Sequence, residues 1–319
     1  MMSSSAFSIS VVIPAFNVQD YIAEAIESVL KQDKRPDEVI IVNDGSTDGT
    51  RSVISNYEFD SIVRVIDTEN RGLGPARNLG LENSSSEYIY FFDSDDVMSD
   101  GFVEVIASVV EANKKPDMIV FSGESFCEKG SEFSFAPPDY KRKIEGRFQS
   151  GPKLYRELLK YNSLVSSACL YVTRRDLWFK SGLRFKPVIH EDEEILLPLY
   201  FATGKCNSIS NILFYRRVRA NSIMTGGVTD KNVHGIKQTL KTLLCLRKEK
   251  SKLVLENYDL WLARTRNVLV AVFARSIQSG RLLPDSFMVR VLFQFISLRV
   301  LMSIVKQYLL AGKRLLAKI

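Results

Sequence analysis

Asp93-Ser94-Asp95-Asp96 sets three carboxylates within four residues. Charges that close repel one another unless a cation or open solvent relieves them. Hard divalent cations such as Mg²⁺ or Mn²⁺ take oxygen ligands and often bind one or two carboxylates together with a substrate's phosphates. The stretch therefore reads either as a metal site or as a solvated acidic turn capping the helix that starts near Ser99. Asn43-Asp44-Gly45-Ser46-Thr47-Asp48-Gly49 is made of turn formers and opens a helix; its carboxylates cap that turn or accept a hydrogen bond from a nucleobase N–H. Asn70-Arg71-Gly72-Leu73-Gly74-Pro75-Ala76-Arg77-Asn78 places two glycines and two arginines before a helix, the first permitting close backbone approach and the second gripping phosphate. It is not the dinucleotide fingerprint Gly-x-Gly-x-x-Gly, which needs its helix directly after the first strand. His190-Glu191-Asp192-Glu193-Glu194 offers a general base for a hydroxyl, or a helix start enriched in acids to suit its dipole. Tyr215-Arg216-Arg217-Val218-Arg219 brings three cations to a strand end, to close over a diphosphate or to stay solvated.

These clusters need a frame to bring them together. Ser8–Ile13, Glu38–Val42, Ile62–Ile66 and Tyr88–Phe92 are short apolar runs that read as buried strands. Helical stretches follow each of them: Val18–Gln32, a short one to about Tyr57, one to about Asn83 with Pro75 in its first turn, and Gly101–Asn113. Such alternation predicts an α/β fold, a mostly parallel sheet with helices on both faces. The polar clusters Pro14–Asn17, Asn43–Asp48, Asp67–Arg77 and Asp93–Asp96 all follow strands, and ligands of open parallel sheets bind beyond the carboxyl ends of the strands.

The bulk composition suits an ordinary folded globular protein: 319 residues, 45% hydrophobic and 25% charged. The four cysteines are scattered with no Cys-x-x-Cys pair, which predicts reduced thiols, and two histidines exclude a His-rich metal centre. Met1–Phe7 is Ser-rich without a basic residue, unlike a secretory signal. Net charge is +6, and the whole excess lies from Arg281 onward, where seven basic residues, Arg281 included, meet the single acid Asp285. That asymmetry predicts an anionic partner for the tail alone.

Taken in order, VVIPAFN, VNDGSTDGT, ENRGLGPARN, FDSDD, HEDEE and YRRVRANS resemble the inverting family 2 glycosyltransferases of the GT-A fold, over about Ser8 to Met224. The resemblance implies a Rossmann-like GT-A catalytic domain over 1–228, with a nucleotide-binding half at about 8–123 and an acceptor half at about 124–228, followed by a helical region over 229–319. It implies a base pocket of Pro14, Ala15, Asn17, Asp44 and Gly45, with Arg77 beside the nucleotide. Asp93 and Asp95 match the Asp-x-Asp pair, Asp95 holding a divalent cation, Mn²⁺ or Mg²⁺, on the diphosphate; Ser94 would meet the donor, and Asp96 would support the ion or meet the donor sugar. Asp192 resembles the general base, with Glu191 the next candidate, and Arg216 and Arg219 resemble the basic residues that steady the leaving diphosphate. The expected reaction moves a sugar from a nucleotide-diphosphate sugar, a UDP-sugar for preference, to a hydroxyl of a saccharide acceptor by one inverting displacement.

In the tail, Arg299, Ser303, Lys306, Lys313 and Arg314 share one helical side and Leu301, Val305, Tyr308, Leu309 and Leu316 the other. The pattern suits the surface of an anionic membrane, or a helix packed on the catalytic domain with a solvated basic face. The first implies a lipid-linked acceptor in cell-surface polysaccharide synthesis (O-antigen, capsule or lipopolysaccharide) and a cytoplasmic protein, peripheral on the inner membrane, with no nucleic-acid partner. Two readings compete: a non-catalytic nucleotide-sugar-binding scaffold, and a nucleotidyltransferase, which would want a Gly-rich basic loop where PAFNVQD stands.

Overall fold

The computed structural model describes residues 7–128, 139–219, 229–248 and 252–278. The chain divides into two units, Met1–Pro187 with Pro198–Gly226, and Val188–Leu197 with Gly227–Ile319. The second unit resumes next to the expected boundary at 228, but it also takes 188–197 with the acidic turn. Local packing is the reason: the Ile189 carbonyl lies so close to Gly235 that a Cβ there would collide with it.

The elements of the first unit, in order, are β1 (Ile9–Ala15), α1 (Ile22–Leu30), β2 (Glu38–Asp44), α2 (Thr50–Ser55), β3 (Val63–Thr68), α3 (Leu73–Asn83), β4 (Tyr88–Phe91), β5 (Val97–Met98), α4 (Phe102–Ala112), β6 (Met118–Cys127), β7 (Gly146–Phe148), α5 (Gly151–Lys160), β8 (Tyr171–Arg174) and α6 (Arg175–Ser181). α7 (Glu191–Ala202) begins in the second unit and ends in the first, and β9 (Cys206–Val218) closes the sheet. The second unit continues with α8 (Asp230–Lys248), α9 (Lys252–Glu256) and α10 (Tyr258–Gln278).

Strands run in the order β3-β2-β1-β4-β8-β6-β9-β5, with β7 on β9. β1, β2, β3 and β4 pair in parallel, and all seven residues of β1 are buried, as a strand covered on both faces requires. Val11 and Ile13 join the core built with Ala25, Ile26 and Phe102, whereas the side chain of Val12, pointing the other way, fills the space where Gly80 of α3 lacks a Cβ. Helices therefore cover both faces here. Beyond β4 the sheet is mixed: β8 runs antiparallel between β4 and β6, and β6 and β9 are again parallel.

Register shifts interrupt the β6–β9 ladder around Ser122. The fully buried Arg142 uses that irregularity. Its Nε donates to the Phe121 carbonyl at 2.9 Å, its Nη1 to Ser163 O at 2.7 Å and its Nη2 more loosely to Leu170 O at 3.4 Å. Its own N–H donates to Ser122 Oγ at 2.8 Å. One guanidinium thus pins β6, the 163 loop and the turn before β8.

Candidate active site

Because β1–β4 are parallel, their carboxyl ends share one edge, and the loops there are stitched to each other. Thr47 N–H donates to Asn17 Oδ1 at 2.8 Å, Val18 N–H to Thr50 Oγ1 at 2.8 Å, and Asn43 Nδ2 to Asp67 Oδ1 at 2.8 Å. Asn17 holds φ at 51°, in the left-handed region that Asn tolerates. Pro14 and Ala15 are buried at the end of β1, level with Val42 and Asn43. Buried Asp44 closes the turn before α3 with both oxygens, accepting from Arg71 N at 2.9 Å and Gly72 N at 2.8 Å. Gly45 has φ of 70°, and a Cβ there would lie 2.6 Å from Asn70 N. A cleft of about 180 Å³ opens beside this turn, lined by Asp44, Thr68, Arg71, Pro75, Ala76 and Asn78 among others.

The acidic stretch follows β4. Arg77, buried on α3, donates from Nη2 to Asp93 Oδ1 at 2.7 Å and stacks on the Phe185 ring, 5.3 Å from its centroid. Burial alone would push the Asp93 carboxyl up, but Arg77 and Arg216 outweigh it and hold the group below the usual carboxylate range. Asp96 goes the other way. Burial, then the charges of Asp95 and Asp93, drive its carboxyl well above that range, against Arg216 and the Arg217 N–H. Asp96 Oδ1 accepts from Arg217 N at 2.8 Å, while the buried Oδ2 has no hydrogen-bond partner among the described residues. Ser94 is buried between these acids.

Three groups at this place, Asp93, Asp96 and Cys169, bring one ligand atom each within 4.8 Å of the others. Two hard oxygen donors, one of them lacking a partner, fit a divalent cation. The resemblance puts the metal on Asp95 and Asp93; the converging trio shares Asp93 with that pair, while the Asp95 carboxylate accepts from Arg219 Nε at 2.9 Å. Burial and the charges of Asp93 and Asp96 keep the Cys169 thiol protonated, well above its usual range. The thiol had no signal in the sequence, because it reaches the acids only through the antiparallel insertion of β8.

Arg216 and Arg219 both meet the acids. Burial would lower the Arg216 guanidinium, yet Tyr140, Asp96 and Asp93 together raise it. Arg217, which the motif left without a role, fixes the loop instead: Nε donates to the Asp95 carbonyl at 2.9 Å, Nη2 bonds Glu24, and the group lies 4.7 Å from the Phe126 ring centroid. Neighbours on a strand point to opposite faces, so 216 and 217 could not share one task.

In the second unit the acidic turn opens α7. His190, at φ of 70°, offers its carbonyl to Glu193 N at 3.1 Å and Glu194 N at 3.3 Å. Glu191 and Glu194 are buried, and Asp192 Oδ1 accepts from Glu193 N at 2.8 Å. Asn232 Nδ2 lies 3.3 Å from His190 Nε2. Burial first, and Arg275 second, depress His190 to about 4 against an ordinary 6.5. An unfolded chain therefore takes up a proton that the folded one refuses as pH falls below 6.5. Stability is whole above that value and is lost on acidification, by about 1–2 kcal/mol after allowance for partial exposure. Denaturant unfolding of wild type and His190→Asn, which tolerates the same φ, should diverge in pH slope between about pH 7 and pH 4.5. Parallel slopes would refute this.

A parallel half-sheet that delivers an Asp-Ser-Asp-Asp turn to its carboxyl edge, continued by mixed strands and a helical C-terminal region, defines a GT-A fold. S. aureus TarS 1–349, solved in complex with UDP-GlcNAc, superposes with a TM-score of 0.64 at 17% identity, covering 96% of this chain and 91% of that one. Its UDP complex gives 0.60 at 17% identity. The model of the glycosyl transferase family 2 matches residues 10–176, just over half of the chain, and the chain belongs to that family. Glycosyltransferase GlyG of Streptococcus pneumoniae serotype 4 is 30% identical over 227 residues, 68% of this chain and 72% of GlyG. GlyA of the same organism is 29% identical over 245 residues, 75% of this chain; the chain spans 34% of GlyA's length.

Proposed function

We propose that the protein transfers a sugar from a nucleotide-diphosphate sugar, UDP-linked by analogy with the TarS complex, to a saccharide hydroxyl, with inversion. The observation that carries this reading is the gathering of Asp93, Asp95 and Asp96 with Arg77, Arg216 and Arg219 beyond the ends of β1 and β4. Asp44 accepts a base N–H beside the two backbone donors it already holds, since a carboxylate offers about four lone-pair sites. Asp93 and Asp95 would hold the divalent ion, with Asp96 beside them, and Ser94 would meet the donor. The ion supplies Lewis-acid stabilisation of charge on the diphosphate. Arg216 and Arg219 move from carboxylate to phosphate oxygens as that charge develops. Asp192 takes the proton of the attacking hydroxyl, with Glu191 as its neighbour, and attack from the side opposite the leaving group inverts the anomeric centre.

The proposed acceptor is lipid-linked, in surface-polysaccharide synthesis, and the protein sits peripherally on the cytoplasmic face of the inner membrane. The basic amphipathic pattern that motivates this lies outside the described residues; no helix among those described is long and apolar enough to cross a membrane. A panel of nucleotide sugars, each with Mn²⁺, Mg²⁺ or chelator, should show one UDP-sugar that raises Tm and turns over only with metal. Stabilisation without turnover on any saccharide acceptor would favour the non-catalytic scaffold.

A further inference from the structure

α7 begins with four consecutive acids, Glu191–Glu194, whose mutual repulsion must be answered locally. Within the second unit the answer comes from α10. Arg264 Nη2 donates to the Glu193 carbonyl at 2.9 Å and also to the Glu193 carboxylate, so one guanidinium grips both ends of one residue. The N–H of that same residue holds Asp192 Oδ1 at 2.8 Å. Arg275, eleven residues further along α10 and so on the same helical face, lies in the field of Glu193 and Asp192. Burial pushes the Glu193 carboxyl up, yet Arg264 and Arg275 keep it ionised. α8 adds uncharged donors: Thr242 Oγ1 bonds Glu194, and Asn232 meets His190.

We propose that Arg264 is a positioning residue for Asp192, fixing its carboxylate through Glu193, which makes the C-terminal helices part of the catalytic apparatus. This rests on the reading of Asp192 as the base. A helix dipole would favour acids here without any arginine, but would not tie the carbonyl and carboxylate of the residue after Asp192 to one nitrogen, Arg264 Nη2.

The test uses the full chain and its donor and acceptor. Arg264→Gln should lower kcat roughly 10- to 100-fold with donor KM within about twofold, the signature of a displaced group rather than lost binding. Glu193→Gln should act similarly, and the double variant should be no worse than the poorer single, because both cut one link. Arg264→Lys should recover part of kcat. Unchanged kcat in Arg264→Gln, or a fall in kcat that tracks Tm while Glu193→Gln stays fully active, overturns the proposal. Asp192→Asn separates the two readings. If it is inactive while Arg264→Gln is unimpaired, only the positioning role fails; if it retains wild-type kcat, the base assignment fails and the positioning role with it.

Discussion

Asp192→Asn should lower the rate of sugar transfer by roughly a hundred- to ten-thousandfold, the span that a positioned general base contributes. The substitution is nearly isosteric. An amide oxygen accepts the Glu193 N–H that now reaches Asp192 Oδ1 at 2.8 Å, so the start of α7 is kept, and Arg264 retains its hold on Glu193. What is lost is the capacity to take a proton. The groups proposed for the donor belong to the other unit, and donor affinity should stay within about twofold. Single-turnover transfer measured beside calorimetric donor binding would decide the matter. Transfer within about tenfold of wild type would remove Asp192 from its proposed role.

The largest loss of stability is expected from Arg142→Met, about 3–5 kcal/mol. Methionine fills much of the volume, and removing a buried cation relieves a real cost, since burial already depresses the Arg142 guanidinium. Against that stand two strong bonds, to Phe121 O at 2.9 Å and Ser163 O at 2.7 Å, and a weaker third to Leu170 O at 3.4 Å. Each orphaned buried carbonyl costs about 1–3 kcal/mol, so the lost bonds win. Leu170 adjoins Cys169, so the turn beside the acids loosens with it. Denaturant unfolding should show a lower midpoint at unchanged slope. A change below about 1 kcal/mol would contradict the account.

The four strand-loop units at the amino end were legible because parallel strands buried on both faces are written as unbroken apolar runs: EVIIVND and YIYF need no partner to be recognised. Their loops were legible for a related reason, since polar residues collect where strands end. Of the other half, only β9 was legible, as the strand that ends in Tyr215–Arg219. β8 is four residues long and lies between β4 and β6, distant neighbours in sequence, so nothing local announces it. With β8 went Cys169, the anchoring of Arg142, and the sense in which Arg217 differs from Arg216. The acidic turn at 190–194 was visible as chemistry, but its membership of the C-terminal unit depends on Arg264 and Gly235, far along the chain.

At rest every acid of the Asp93–Asp96 stretch already faces a guanidinium or a backbone donor. A lone cation binding here would strip the arginines of their carboxylates, and a lone pyrophosphate would strip the acids of their guanidinium partners. Only the two together let the pairs trade places, carboxylate to ion and guanidinium to phosphate, with the sum of charge hardly altered. On the proposed function, metal and nucleotide would therefore enter as one neutralised package, which leaves discrimination among donors to the base and the sugar.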